Sequence, residues 1–293
     1  PEPEPRPERE PAPSPMPAAA PGTPPIGAWD RRADAVLPER RIVAFYGNPQ
    51  SRRMGILGEL PPDEMLALLD REVEAWERAD PGVPVRPALH LIAVMATADP
   101  GPDSLYRLRQ PARVIERVLE WAERRDAIVF LDIQPGRSSV EAELPRLERW
   151  LTRPNVHLAL DPEWAVASPH RPGRVIGSMH ARDVNDAVRW LAAVVQAHDL
   201  PPKVLVVHRF TQGMLRDPDA IVRDPRVQVV LNMDGWGPPQ GKRASYRNFV
   251  ANAPVELKGF KLFYKNDRRG GSRLMTPAEV LELRPVPLYI QYQ

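Results

Sequence analysis

No cysteine occurs in the 293 residues, which excludes disulfides, zinc–thiolate centres and thiol nucleophiles. Lysine is scarce: it stands only at 203, 242, 258, 261 and 265, and arginine supplies the rest of the positive charge. The formal net charge is only +2, and no basic stripe with interleaved aromatics appears, so nucleic acid is not an expected partner. No apolar run is long enough to cross a bilayer. Gly-x-Ser-x-Gly is missing, and Ser138, Ser139 and Ser178 sit where helix starts and turns ordinarily use serine. Histidine never occurs at paired or His-x-His spacing.

What the chain does have begins with proline. Residues 1–25 are dominated by Pro, Glu, Arg and Ala without apolar periodicity, the composition of an extended tether that cannot bury enough surface to fold. We therefore expect a disordered linker over 1–28 and one folded domain over 29–293. The first residue is Pro1 rather than Met, and no signal peptide is visible. The expectation is a processed bacterial export product, extracellular or lipoprotein-like at the cell surface, monomeric, whose only membrane contact ran through an anchor since removed. The rival is a disordered tail on a cytoplasmic protein.

From Arg41 onward, short apolar runs alternate with helical periodicity. Strands are predicted over 41–47, 88–96, 127–133, 156–160, 204–207, 227–231, 260–264 and 287–292. Helices are predicted over 62–79, 108–124, 139–151, 184–198, 214–223, 244–251 and 277–283. Near-continuous apolar strands imply burial on both faces, as in a parallel sheet. Eight such units in this length predict an α/β fold, a (β/α)₈ TIM-type barrel. An open doubly wound sheet is the rival, but Gly47-Asn48-Pro49 after the first strand matches no phosphate-binding loop. The final helix is missing, or the segment before Arg41 replaces it.

Barrel enzymes draw their chemistry from the C-terminal ends of several strands. Those ends carry Tyr46; Asp132 and Gln134; Asp161, Glu163 and Trp164; His208 and Phe210; Asn232, Asp234 and Trp236; Tyr264; and Gln291. Strand side chains alternate faces, so Asp132 with Gln134, Asp161 with Glu163, and Asn232 with Asp234 each point one way. Packing alone does not ask for such polar pairs. His90 and His157 begin their predicted strands and are expected at the opposite, stabilising end. The connection 165–182 exceeds the usual length and is expected to cover the mouth, with His180 its best-placed histidine. Lys261 and Lys265 are further candidates, as Schiff-base or anion-binding groups, though Lys265 reads better as a solvated loop charge.

Asp161-x-Glu163 at the end of a fourth barrel strand resembles the chitinase-like and lysozyme-like (β/α)₈ glycosidases. The resemblance implies that Glu163 is the general acid and Asp161 orients or tunes it. It covers only these two residues and the barrel rhythm. The acidic residues that lead into this strand in chitinases are replaced by Leu158, Ala159 and Leu160.

The residues make a physical case of their own. Glycoside cleavage needs one protonated and one ionised carboxyl group. Glu163, beside Trp164 and Asp161, has an apolar neighbour and a like charge to raise its pKa. Asp132 or Asp234 is the candidate base or nucleophile. Tyr46, Trp164, Phe210, Trp236 and Tyr264 offer flat faces to sugar rings, with Gln134, His208, Asn232 and Gln291 as polar contacts. The expected function is a glycoside hydrolase acting on a polysaccharide or cell-wall glycan, with no cofactor and no metal. Two alternatives remain. One is a metal-dependent hydrolase using Asp132, Asp161, Glu163, His208 and Asp234. The other is a non-catalytic glycan-binding surface protein.

Overall fold

The computed structural model describes residues 34–293; the linker expected over 1–28 lies outside them. Eight parallel strands close into a barrel: β1 (Arg41–Gly47), β2 (Val85–Ala96), β3 (Ile128–Ile133), β4 (Val156–Leu160), β5 (Lys203–Arg209), β6 (Val227–Met233), β7 (Leu257–Leu262) and β8 (Tyr289–Tyr292). Closure is made at β1, which pairs with β2 on one side and β8 on the other. Around it run α1 (Pro62–Ala79), α2 (Ala112–Glu123), α3 (Val140–Leu151), α4 (Ala181–Ala197), α5 (Pro239–Tyr246) and α6 (Pro277–Leu281). The TIM-type architecture predicted from the alternation is present. No described helix is long and apolar enough to cross a membrane.

The strands form because β-branched and large apolar residues can be buried on both faces of each run. Ile128-Val129-Phe130-Leu131-Asp132-Ile133 is buried throughout. One face of each strand packs with the helices in a large shell that includes Leu131, Leu144, Leu147 and Trp190. The other face fills the barrel's N-terminal half with Ile42, Ala88, Phe130, Ala159, Val206, Val230 and Tyr289. Helix starts follow local chemistry. The Ser139 hydroxyl accepts from the Ala142 amide at 3.2 Å, and α1 and α5 have proline at their first position.

Five local expectations are corrected. β2 starts at Val85 rather than at 88, so His90 lies in mid-strand; Pro87 is part of the ladder beside Val43. β7 starts at Leu257 and ends at Leu262, short of Tyr264. The helix expected over 214–223 is instead two 3₁₀ turns, Gln212–Met214 and Pro218–Ala220, around a two-residue strand paired to Met179–His180. The helix expected over 244–251 begins earlier, as α5, and ends in a π turn over Arg247–Ala251. Finally, in the segment before Arg41, the candidate substitute for the missing helix, the described residues 34–40 form turns rather than helix. Leu37 is buried in the interior cluster at the foot of the barrel, where its amide and carbonyl bond the Gln228 side chain at 3.2 and 2.5 Å.

Candidate active site

At the C-terminal mouth lies a cavity of about 500 Å³ to which the tops of all eight strands contribute. Asp161 and Glu163 both reach the cavity, but the other two polar pairs are layers rather than equal partners. Their upper members, Gln134 and Asp234, line the cavity; Asp132 and Asn232 lie fully buried in the layer below.

The turn that carries Glu163 is not strand. β4 ends at Leu160, and Asp161 caps a 3₁₀ turn over Pro162–Trp164, its Oδ1 accepting from the Glu163 amide at 3.2 Å. Proline at the first turn position suits this bend, and cap geometry, not strand alternation, brings both carboxyls to the cavity. The long connection returns to lock the turn. Gly177 N donates to Glu163 O at 2.6 Å, and Ser178 N donates to Ala165 O at 3.0 Å. A Cβ on Gly177 would lie 2.4–2.6 Å from the backbone oxygens of Ala165, Glu163 and Pro162, so only glycine allows this approach.

The carboxyls are driven apart electrostatically. Glu163 is pushed up to about 7, first by burial and then by the charge of Asp234, against the pull of Lys261 and His208. Asp161, fully enclosed, is held well above the carboxylate range by burial, reinforced by Asp132 and Asp234. Burial also works against charge on Asp234, but Lys261 and His208 prevail and bring it down to about 2. Its Oδ1 is 2.9 Å from Lys261 Nζ, and its Oδ2 is 2.9 Å from His208 Nδ1. Burial would keep His208 neutral, yet Asp234, then Asp132 and Asp161, raise its pKa. The mouth therefore holds a protonated carboxyl near neutrality beside an ion-paired carboxylate.

Aromatic walls complete the cavity. Trp164, Phe210, Phe263 and Trp236 line it, and Trp236 is 55% exposed at the rim. Tyr46 forms the floor: Lys261 Nζ sits 3.9 Å from its ring centre, and Gln134 Nε2 donates to its hydroxyl at 3.0 Å.

The structure thus brings together Glu163, Asp161, Asp234, Tyr46, Gln134, Trp164 and Trp236 at one cavity. Asp132, His208, Asn232 and Gln291 belong instead to the fully buried layer beneath it. Tyr264 does not reach the cavity. It stacks on Tyr292 and donates to Glu72 Oε1 at 2.7 Å, on the helix-facing side of the barrel. His180 caps α4 and pairs with Asp217 at 3.2 Å, away from the lining. His157 accepts from the Val204 amide at 3.1 Å, the structural role expected of it. His90, expected at the stabilising end, stands inside the barrel 3.7 Å from Asp132.

Among the described residues, His90, Asp132 and His208 form the one cluster with donor atoms close enough to hold a metal ion. They lie below the cavity, so the imidazole of the metal-hydrolase alternative is not at its surface. No protein-family model and no curated protein sequence matches this chain. The barrel that the glycosidase resemblance implies is present, and its acidic pair stands at the mouth.

Proposed function

We propose that the chain is a glycoside hydrolase-like enzyme acting on a polysaccharide or cell-wall glycan through Glu163 and Asp234. The observation that carries this reading is the half-buried Glu163, its carboxyl proton-bearing up to about pH 7 in a cavity that also contains the Lys261-paired Asp234. Glycoside cleavage needs that division of labour. Glu163 gives its proton to the glycosidic oxygen as the bond from the anomeric carbon breaks, so the departing sugar leaves as a neutral alcohol. Asp234 either attacks the anomeric carbon or takes a proton from the water that does. Asp161 positions the donor through its bond to the Glu163 amide. Trp164, Phe210 and Trp236 supply stacking faces.

The test compares leaving groups. Glu163→Gln should lower turnover of glycans about 10²–10⁴-fold, the range for losing a general acid. Glycosides of strongly acidic phenols, which leave without protonation, should be hydrolysed at nearly the wild-type rate, and glycan binding should persist. Undiminished glycan turnover in this variant would remove Glu163 from the chemistry. Binding without turnover by the wild-type protein would favour the non-catalytic alternative.

A further inference from the structure

Beneath the Tyr46 floor, three side chains converge with their facing polar atoms unpartnered. His90 Nε2 and His208 Nε2 lie 3.7 and 3.8 Å from the same Asp132 Oδ2, beyond hydrogen-bonding distance. All three side chains are fully buried, and neither Asp132 oxygen nor either Nε2 has a hydrogen-bond partner among the protein groups. Buried polar atoms are ordinarily satisfied, and a carboxylate stripped of water needs a counter-charge close by. The nearby ammonium of Lys261 is already bonded to Asp234 at 2.9 Å.

The far nitrogens are, by contrast, held. His208 Nδ1 is 2.9 Å from Asp234 Oδ2. His90 Nδ1 is 2.6 Å from Tyr289 Oη and 3.0 Å from the Gln291 side-chain amide. With an ion bound, each Nε2 lone pair goes to the metal and the proton sits on Nδ1, where the Asp234 carboxylate accepts from His208 and the Tyr289 hydroxyl oxygen accepts from His90. A carboxylate or hydroxyl behind each imidazole is the arrangement that fixes ring and tautomer in metal centres.

We propose that His90, Asp132 and His208 form a binding site for one divalent transition-metal ion inside the barrel. Two imidazoles and one carboxylate favour an ion such as Zn²⁺, Co²⁺ or Mn²⁺ over Mg²⁺ or Ca²⁺. Ligand atoms about 2.1 Å from a tetrahedral ion stand about 3.4 Å apart; the two imidazole–carboxylate separations exceed this by a few tenths of an ångström, and all three donor atoms lie within 4.8 Å of one another. Tyr46 lines the cavity and packs on both imidazoles, with ring centres at 5.1 and 6.0 Å, and so separates the ion from a bound substrate. The ion ties β2, β3 and β5 together and, through His208, sets the orientation of Asp234. The binding of the ion stands apart from the glycosidase reading; the positioning of Asp234 rests on that reading.

The test uses the full chain, stripped with a chelator, dialysed and titrated with Co²⁺ while its visible absorption is recorded. One equivalent should bind with the spectrum of a nitrogen- and oxygen-ligated ion, and Zn²⁺ should displace it. Asp132→Asn and His90→Gln, each checked for folding by circular dichroism, should weaken Co²⁺ binding by more than about ten-fold. Glu163→Gln should bind as the wild type does, which separates this site from the cavity above. A folded wild-type chain giving no Co²⁺ spectrum at millimolar ion overturns the proposal. So does equal Co²⁺ binding by a folded Asp132→Asn variant, and the wild-type titration decides the matter if neither variant folds.

Discussion

Glu163 keeps its proton to about pH 7, well above the ordinary 4.5, and both activity and stability should register this. Under the proposed mechanism the protonated form is the active one, so kcat/KM should fall as pH rises through about 7. Glu163→Gln should abolish that limb of the profile along with most of the activity. The stability effect follows from linkage. Between about 4.5 and 7 the folded state binds more protons than the unfolded chain, so stability declines with pH over this window and the full cost remains above it. Glu163→Gln should therefore be more stable than the wild type at about pH 8, by on the order of 1–3 kcal/mol, and the gap should close near pH 4. Denaturant titrations at the two pH values check it; a gap that does not change with pH would assign the effect to packing. At this scale the carboxylates were legible, because Asp161, Glu163 and Asp234 each follow an apolar run. His90 was not, since the apolar run begins at 88 while the twelve-residue strand begins at Val85, so His90 looked like a strand start rather than a mid-strand residue.

Among the elements, the connection between β4 and α4 matters most to the site. It returns so that Gly177 sits against three backbone oxygens of the turn bearing Glu163. Gly177→Ala must displace backbone rather than a flexible side chain. We expect it to cost about 2 kcal/mol or more in stability and about 100-fold in kcat/KM, from misplacement of the acid. A variant with wild-type kinetics would show that the turn keeps its shape without this clasp. The length of the connection was evident from its prolines and glycines, but its docking point was not. Gly259 taught the same lesson in β7. A glycine and two lysines make that strand look as if it starts at Phe260, yet Gly259 is required where Asn232 Oδ1 would lie 2.6 Å from a Cβ. Tyr264 lies beyond the end of β7 and on the face opposite Lys261 and Phe263, which puts it behind the barrel instead of at the mouth.

For the molecule as a whole, the barrel separates stability from chemistry along its axis. Leu37 plugs the foot, 1% exposed, at the opposite end from the cavity. Leu37→Ala should lower stability by about 2–4 kcal/mol, as large-to-small changes in a packed interior do, while kcat/KM below the melting transition stays unchanged. Thermal unfolding and a turnover assay measure the two effects. A parallel loss of activity would mean that the foot and the mouth are mechanically coupled.

Local patterning was enough for the barrel. Eight apolar runs separated by amphipathic helices can hide their surfaces in few other ways, and strand ends rich in Asp, Glu, Asn and Trp marked which rim is polar. Patterning carries no depth, however. Residues two apart on a strand share a face but not a layer, so Asp132 and Asp234 looked alike in the sequence. Only closure of the barrel placed Asp132 under Tyr46 with His90 and His208, and Asp234 in the cavity wall with Glu163. The relative stagger of neighbouring strands decides which side chains are stacked and which are solvated, and that stagger comes from long-range pairing rather than from any one segment.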